Sequence, residues 1–287
     1  MIPISIPEHS AAPQTLYIVS TPIGNLQDIS LRALSIFHSV TTIAAEDTRH
    51  SRRLLDAYHI NTPLISYHAF NEQQQFQPLL ARLEKGESLA LISDAGTPLI
   101  SDPGYILVHA ARQAGFAVVP IPGCCAAIAA LSVAGLPSQD FRFMGFLSTK
   151  TTERQRRLEA LLQGPSTLIF YEAPHRILSL MQLLMSLLAD SRQVVLAKEL
   201  TKTFETIMSG TAIKIYQWLS ENPLHQKGEF VILIEGAPKS EEPEISAQDL
   251  NTLKVLLADL PVKQAVSLGS KITGIAKNRL YALALKL

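Results

Sequence analysis

The stretch Ser88-Leu89-Ala90-Leu91-Ile92-Ser93-Asp94-Ala95-Gly96-Thr97-Pro98-Leu99-Ile100-Ser101-Asp102-Pro103-Gly104 decides the fold. Its first five residues read as a short buried strand. The strand opens into a loop of small residues carrying two carboxylates. Glycine lets a backbone approach a ligand closely, and proline fixes a loop's shape. Open α/β sheets bind ligands at the carboxyl ends of their strands. Taken alone, the stretch serves equally well as an ordinary strand-to-helix turn.

Two further segments repeat the pattern. Leu16-Tyr17-Ile18-Val19-Ser20 runs into Thr21-Pro22-Ile23-Gly24-Asn25, and Ala117-Val118-Val119-Pro120-Ile121 runs into Pro122-Gly123-Cys124-Cys125-Ala126-Ala127. Three strands ending in Pro/Gly loops predict one cleft built from several strand tips. None carries G-x-G-x-x-G or G-x-x-x-x-G-K-[ST], which argues against a nicotinamide dehydrogenase or a P-loop NTPase.

Outward from these loops, strands and helices alternate. A helix capped by Asp28 has Leu31, Leu34 and Phe37 on one face. The strand Thr42–Ala45 ends at Glu46-Asp47-Thr48-Arg49 and leads into a helix with Arg52 and Arg53. Strand 64–68, helix 73–85 and a helix over about 104–114 follow. This rhythm predicts a mostly parallel sheet with helices on both faces. The small-residue helix 125–134 would aim its free N–H groups into the cleft.

Past Gly135-Leu136-Pro137-Ser138 the rhythm changes. Strands are expected at 141–146, 167–172, 194–199 and 229–234, mixed less regularly with helices. The fold class expected is α/β, with two α/β domains at 15–134 and 135–237. A flexible arm at 1–14, a linker at 238–248 and a helical module at 249–287 complete it. From Pro261 onward the tail carries Lys263, Lys271, Lys277, Arg279 and Lys286 with no acidic residue, and Thr273-Gly274 separates two helical stretches. That suits an RNA-facing helix-turn-helix, or a helical tail with solvated cations.

With 287 residues, 47% apolar and 17% charged, the chain has ample material for buried cores. Its net charge is zero, so nucleic-acid binding would rest on local patches. The only cysteines, Cys124 and Cys125, are neighbours and unsuited to an ordinary disulfide. Metal-ligand spacings, a secretory signal and an 18-residue apolar run are all lacking. No metal, no membrane association and a cytoplasmic location are therefore expected.

The ordered motifs carry a resemblance. Leu16–Val19 with Thr21-Pro22-Ile23-Gly24-Asn25-Leu26, Ala44-Ala45-Glu46-Asp47-Thr48-Arg49 and Ser93-Asp94-Ala95-Gly96-Thr97-Pro98 resemble the bacterial 16S rRNA (cytidine-2′-O)-methyltransferase I family of the tetrapyrrole methylase superfamily. Phe170-Tyr171-Glu172-Ala173-Pro174-His175-Arg176, Ala197-Lys198-Glu199-Leu200-Thr201-Lys202 and the basic tail extend the likeness over roughly 15–287. It implies S-adenosylmethionine held between two α/β domains, a homodimer, and methylation of a ribose 2′-hydroxyl in 16S rRNA of the small ribosomal subunit. One departure is visible: the family's Pro-Gly-Pro is here Pro122-Gly123-Cys124, which leaves that loop less constrained.

On that basis Pro22, Gly24, Ser93, Asp94, Ala95, Gly96, Ser101, Asp102, Gly123, Ala126 and Tyr171 are the expected cofactor-binding residues. Methyl transfer from a sulfonium asks mainly for alignment. A ribose hydroxyl also needs a base, and Glu46, Asp47, Lys198 and Glu199 are the candidates, an inter-domain ion-pair network being the other reading of those charges. RNA phosphates would be met by Arg49, Arg52 and Arg53, by Arg154, Arg156 and Arg157 beside Lys150, and by Lys263, Lys271, Lys277 and Arg279. Two other functions use the same fold. One is a small-molecule tetrapyrrole methylase, against which the basic tail speaks. The other is a non-catalytic RNA-binding ribosome-assembly factor.

Overall fold

The computed structural model describes residues 10–238 and 245–287. Its first half is β1 (Thr15–Val19), α1 (Leu31–Ser39), β2 (Thr42–Ala45), α2 (Thr48–Ala57), β3 (Leu64–Ser66), α3 (Glu72–Glu84), β4 (Leu89–Ile92), α4 (Tyr105–Gln113), β5 (Ala117–Ile121) and α5 (Ala126–Val133). The five strands are all parallel, in the order β3-β2-β4-β1-β5. Parallel strands covered on both faces need unbroken apolar runs, and β2 and β4 are buried at every position.

The strand order positions the site. The carboxyl ends of β2, β4, β1 and β5 lie side by side, so the loops that follow them form one row. The chain builds β2 and β3 on one side of β1, returns through β4, and then crosses to β5. That reversal opens a crevice above the central strands.

The second half is β6 (Phe141–Phe146), α6 (Thr151–Leu161), β7 (Thr167–Glu172), α7 (Ile177–Leu187), β8 (Val194–Lys198), β9 (Thr206–Gly210), α8 (Ala212–Glu221) and β10 (Phe230–Ile234). Its sheet runs β6-β7-β10-β8-β9, parallel between β6 and β7 and antiparallel elsewhere, the mixed arrangement its irregular patterning implies. Two elements are not legible in the sequence. The edge strand β9 is only half-buried, and α8 follows it directly.

One face of this sheet buries Leu168, Phe170, Leu196 and Ile232 against Leu180 and Leu184 of α7 and Ile215 and Leu219 of α8. The other buries Ile169, Val195, Ala197 and Leu233 against Ala127, Ala130, Leu131 and Ala134 at α5. Alanines let α5 approach the sheet closely. A helix following the first sheet thus packs on the second, and the described residues up to Gly236 form one compact unit that holds both sheets.

Three boundaries differ from expectation. Ser30, not Asp28, caps α1, its Oγ accepting from Ala33 N at 3.1 Å. The extended Ile29 separates the 3-10 turn at Leu26–Asp28 from the helix. Of the arm expected to be flexible, residues 1–9 lie outside the described residues. The remainder is tied down: Ala11 N donates to Ser39 Oγ, Ala12 N to Tyr17 Oη and Gln14 N to Glu87 O. Of the expected linker, 239–244 lie outside the described residues, and its end is already helical.

The second unit, Ala237–Leu287, holds α9 (Ala247–Asp259), α10 (Val262–Thr273) and α11 (Lys277–Ala284). Ser246 and Asp249 start α9 with a reciprocal capping box. Leu253, Val266, Ile275 and Leu280 form its own small core. Helices α10 and α11 are joined by Gly274-Ile275-Ala276, a helix-turn-helix connection.

Candidate active site

The three Pro/Gly loops are tied together. Thr21 and Gly96 exchange backbone hydrogen bonds of 2.8 and 3.0 Å. Thr97 Oγ1 donates to Cys124 O at 2.9 Å and accepts from Ser20 Oγ at 2.9 Å. A Cβ at Gly123 would stand 2.9 Å from Ser20 Cβ, so only glycine allows the loops after β1 and β5 to approach this closely. The loop after β2 joins them through Asp47 N, which donates to Asp94 Oδ1 at 2.9 Å.

Beside these loops lies a cleft of about 440 Å³. The first sheet contributes Ile23, Glu46, Asp94, Ala95, Gly96, Thr97, Ile100, Ser101 and Asp102. The start of α5 contributes Cys125 and Ala126. The second sheet closes it with Phe146, Tyr171, Glu172, Ala173, Pro174, Ala197, Leu200, Glu229, Phe230 and Val231. The lining contains five carboxylates and no Lys, Arg or His. Two of the five are paired elsewhere: Glu172 with Arg176 at 2.5 Å, and Glu229 with Lys202 at 3.1 Å. Glu46, Asp94 and Asp102 have no ion-pair partner among the described residues.

That crowding shows in their protonation. Burial pushes the Asp102 carboxyl up to about 6, the Ser93 hydroxyl opposing the rise and Asp94 adding to it. Glu46 is also raised, by burial first and then by the charges of Asp102 and Asp94. Tyr171 closes the wall. Its Oη accepts from Ala127 N at 3.2 Å, and its ring meets Phe143 and Phe146 edge-on at 4.9 and 5.6 Å. Burial pushes its hydroxyl up to about 12, so it stays protonated at neutral pH.

Backbone strain gathers at the same place. Six non-glycine residues among those described have positive φ. Four of them, Leu99, Ser101, Glu199 and Thr201, lie on the two loops that border the cleft. Each costs on the order of 1–3 kcal/mol and persists only where the surrounding structure holds it, and such conformations cluster at active sites and ligand clamps.

The residues 15–215 match the family model of the Tetrapyrrole (Corrin/Porphyrin) Methylases. The chain belongs to the tetrapyrrole methylases. Residues 243–287 match the model of the RsmI C-terminal HTH domain. The chain is 51% identical over 274 residues to the Ribosomal RNA small subunit methyltransferase I of Pseudomonas aeruginosa, covering 95% of this chain and 97% of that protein. The protein of the same name from Escherichia coli O157:H7 is 51% identical over 271 residues, 94% of each chain. In fold it is similar to the methyltransferase CobJ (TM-score 0.58, 19% identity, 78% of this chain and 93% of that one). The uroporphyrin-III-C-methyltransferase of Thermus thermophilus gives a TM-score of 0.55 at 18% identity, over 77% of this chain and 94% of that one.

Within this tetrapyrrole methylase the expected site residues sort by geometry. Asp94, Ala95, Gly96, Ser101, Asp102, Ala126 and Tyr171 line the cleft together. Pro22, Gly24 and Ser93 instead line a second, smaller hollow that shares Asp94. Gly24 faces the loop between β8 and β9, where a Cβ would collide with Lys202 Cγ. Gly123 supports the cleft through Ser20 and is not part of its lining.

Of the four expected bases, only Glu46 reaches the cleft. Asp47 is the cap of α2, its Oδ1 accepting from Arg49 N and His50 N, and those bonds hold its carboxyl below the usual range. Lys198 is buried and alternates with Ala197, the residue of β8 that lines the cleft, so it takes the opposite face of the sheet. Glu199 Oε1 accepts from Lys202 Nζ and Glu229 N, both at 2.9 Å, and anchors its loop.

Among the expected RNA contacts, Arg49, Arg53, Arg156 and Arg157 are exposed and Arg52 is half-buried. Arg154 is buried against its helix's inner face and is unavailable to a phosphate on the surface. In the second unit Lys263, Lys271 and Lys277 are exposed and Arg279 is half-buried. Sequence reasoning does not single out Thr97, Ile100, Cys125, Glu172 or Phe230, all of which line the cleft. Thr97 and Ile100 lie inside the quoted loop, whose composition is their only signal. Phe230 belongs to an apolar strand whose sequence says nothing about a ligand.

Proposed function

We propose that this chain transfers the methyl group of S-adenosylmethionine to the ribose 2′-hydroxyl of a cytidine in 16S rRNA of the small ribosomal subunit, acting in the cytoplasm as a homodimer. One observation carries the reading: a cleft whose lining has no basic side chain, and in which three carboxylates have no ion-pair partner among the described residues, suits a cation. Its volume of about 440 Å³ falls within the roughly 300–1,000 Å³ usual for cofactor-sized ligands.

Asp94 and Asp102 would hold the cationic end, with Ala95, Gly96 and Ala126 leaving room for the nucleoside and Tyr171 closing the wall. When bound, S-adenosylmethionine supplies a methyl already activated by its sulfonium. The protein's own tasks are then to align, to exclude water and to move one proton. Glu46 is the group suited to the last. Its raised carboxyl is a stronger base than a free glutamate and therefore better matched to a neutral-pH proton transfer. It accepts the proton that the hydroxyl releases as the ribose oxygen gains the methyl carbon and the carbon–sulfur bond breaks. The exposed lysines of the tail, on the two helices that the turn joins, suit phosphate contact, as the similarity of 243–287 to the RsmI C-terminal HTH domain also suggests.

The test is transfer of a tritiated methyl from S-adenosylmethionine to purified small subunits, followed by mapping of the labelled nucleotide. Label on a cytidine 2′-oxygen is expected. Label on a base, or none, overturns the proposal.

A further inference from the structure

The loops after β1 and β4 and the helix α2 enclose a second hollow of about 230 Å³, lined by Pro22, Gly24, Leu26, His50, Ser51, Arg53, Leu54, Ser93 and Asp94. We propose that it is the seat of the acceptor nucleotide, an inference that deepens the methyltransferase reading and rests on it.

Four observations meet there. The hollow shares Asp94 with the acidic cleft, so the two cavities have a common wall. A displacement between two bound partners requires adjoining sites with the reacting atoms within about 3–3.5 Å. Unlike the cleft, the hollow has basic side chains in its lining: Arg53 and His50 border it and both are exposed, which suits a phosphate contact. Pro22, the half-exposed Leu26 and Leu54 give it an apolar side against which a sugar or base could pack. Finally, Ser51 is buried, yet its hydroxyl has no hydrogen-bond partner among the described residues. A wall serine with an unmet hydrogen bond suits a ligand that brings one, as a ribose does.

The size is consistent. A hollow of about 230 Å³ is below the roughly 300 Å³ at which whole drug-sized ligands begin to fit, but it suits one splayed-out unit of a polymer. Single-stranded RNA is recognised in this way, by extruded nucleotides rather than through a duplex groove. The base candidate is also on hand: Glu46 precedes the helix turn that carries His50 and Ser51, and Asp47 N ties that turn to Asp94.

The experiment compares Leu26→Trp, Arg53→Gln and Ser51→Ala with the unchanged protein. Small-subunit KM and kcat are read by tritiated methyl transfer, and donor-site affinity by calorimetry with S-adenosylhomocysteine. Trp at the half-exposed position 26 fills the hollow without entering the core. Arg53→Gln is expected to raise KM about tenfold and to lower the slope of log KM against log salt by about one. Leu26→Trp is expected to abolish saturation with small subunits. All three should bind S-adenosylhomocysteine as the unchanged protein does. An unaltered KM in both Leu26→Trp and Arg53→Gln overturns the assignment, as does a loss of S-adenosylhomocysteine binding with KM intact, which would make the hollow part of the donor site. If the unchanged protein methylates nothing, the methyltransferase reading itself fails and takes this assignment with it.

Discussion

Replacing Asp102 by asparagine should make the protein more stable and a poorer binder of its cationic ligand. In the folded chain this carboxyl is pushed from 3.8 up to about 6, mainly by burial. Between those two values the unfolded chain gives up its proton while the folded chain keeps it. Stability therefore falls as pH rises through this window, and above about 6 the penalty is fully present. A displacement of that size corresponds to about 3 kcal/mol. Water still reaches this half-buried side chain, and its screening leaves about 1–2 kcal/mol. Asparagine carries no charge and keeps an oxygen to accept from the Ser93 hydroxyl. Urea unfolding at about pH 7.5 should then show Asp102→Asn ahead of the unchanged protein by about 1–2 kcal/mol, and at about pH 3, below both values, the advantage should vanish. Calorimetry at the higher pH should show S-adenosylmethionine bound about tenfold more weakly, as for the loss of one charge-assisted hydrogen bond. A variant that is less stable at the higher pH, or equally favoured at both pH values, would refute the reasoning that this carboxylate is held at a cost.

Glu46→Gln should lower kcat by about 10²–10⁴-fold while leaving S-adenosylhomocysteine affinity nearly intact, as read by single-turnover methylation and calorimetry. Glu199→Gln, by contrast, should lower the urea midpoint through the weakened anchoring of Lys202 and Glu229 N, costing about 1–3 kcal/mol, with kcat of the folded enzyme retained. Gly123→Ala places a Cβ 2.9 Å from that of Ser20; it should cost about 1–3 kcal/mol and loosen cofactor binding, both visible in a thermal melt with and without S-adenosylmethionine. Replacing Lys263, Lys271 and Lys277 together by alanine should flatten the salt dependence of small-subunit binding, by up to about 0.7–0.9 in slope for each phosphate that is no longer neutralised, measured by filter binding across a salt series.

The fold is legible where one period dominates. The apolar runs of β1, β2 and β4, each closed by a Pro or Gly loop or a charged turn, announce a parallel sheet because parallel strands buried on both faces are nearly continuous in apolar residues. The edge strand β9 escapes such a reading because Thr206–Gly210 packs on one side only and its residues are half polar. The break at Gly135–Ser138 is a true boundary between sheets. Yet α5 just before it is committed to the second sheet through alanines, and small residues give no sign of which partner they will meet.

The site divides along a similar line. Residues on the strand-tip loops stand out because loop composition records the need for close approach. Charges at strand tips are harder to read, since type and spacing do not say which way a side chain points. Glu46, Asp47, Lys198 and Glu199 look alike in sequence. In the fold, one faces a cleft beside two other acids, one caps a helix, one lies on the far face of its sheet and one anchors a loop. What separates them is the burial and company that strand order imposes. Because β2 stands next to β4, Glu46 shares its surroundings with Asp94 and Asp102. Moving β2 one place along the sheet would leave the sequence motif intact and change the burial and the acidic company that together raise the Glu46 carboxyl.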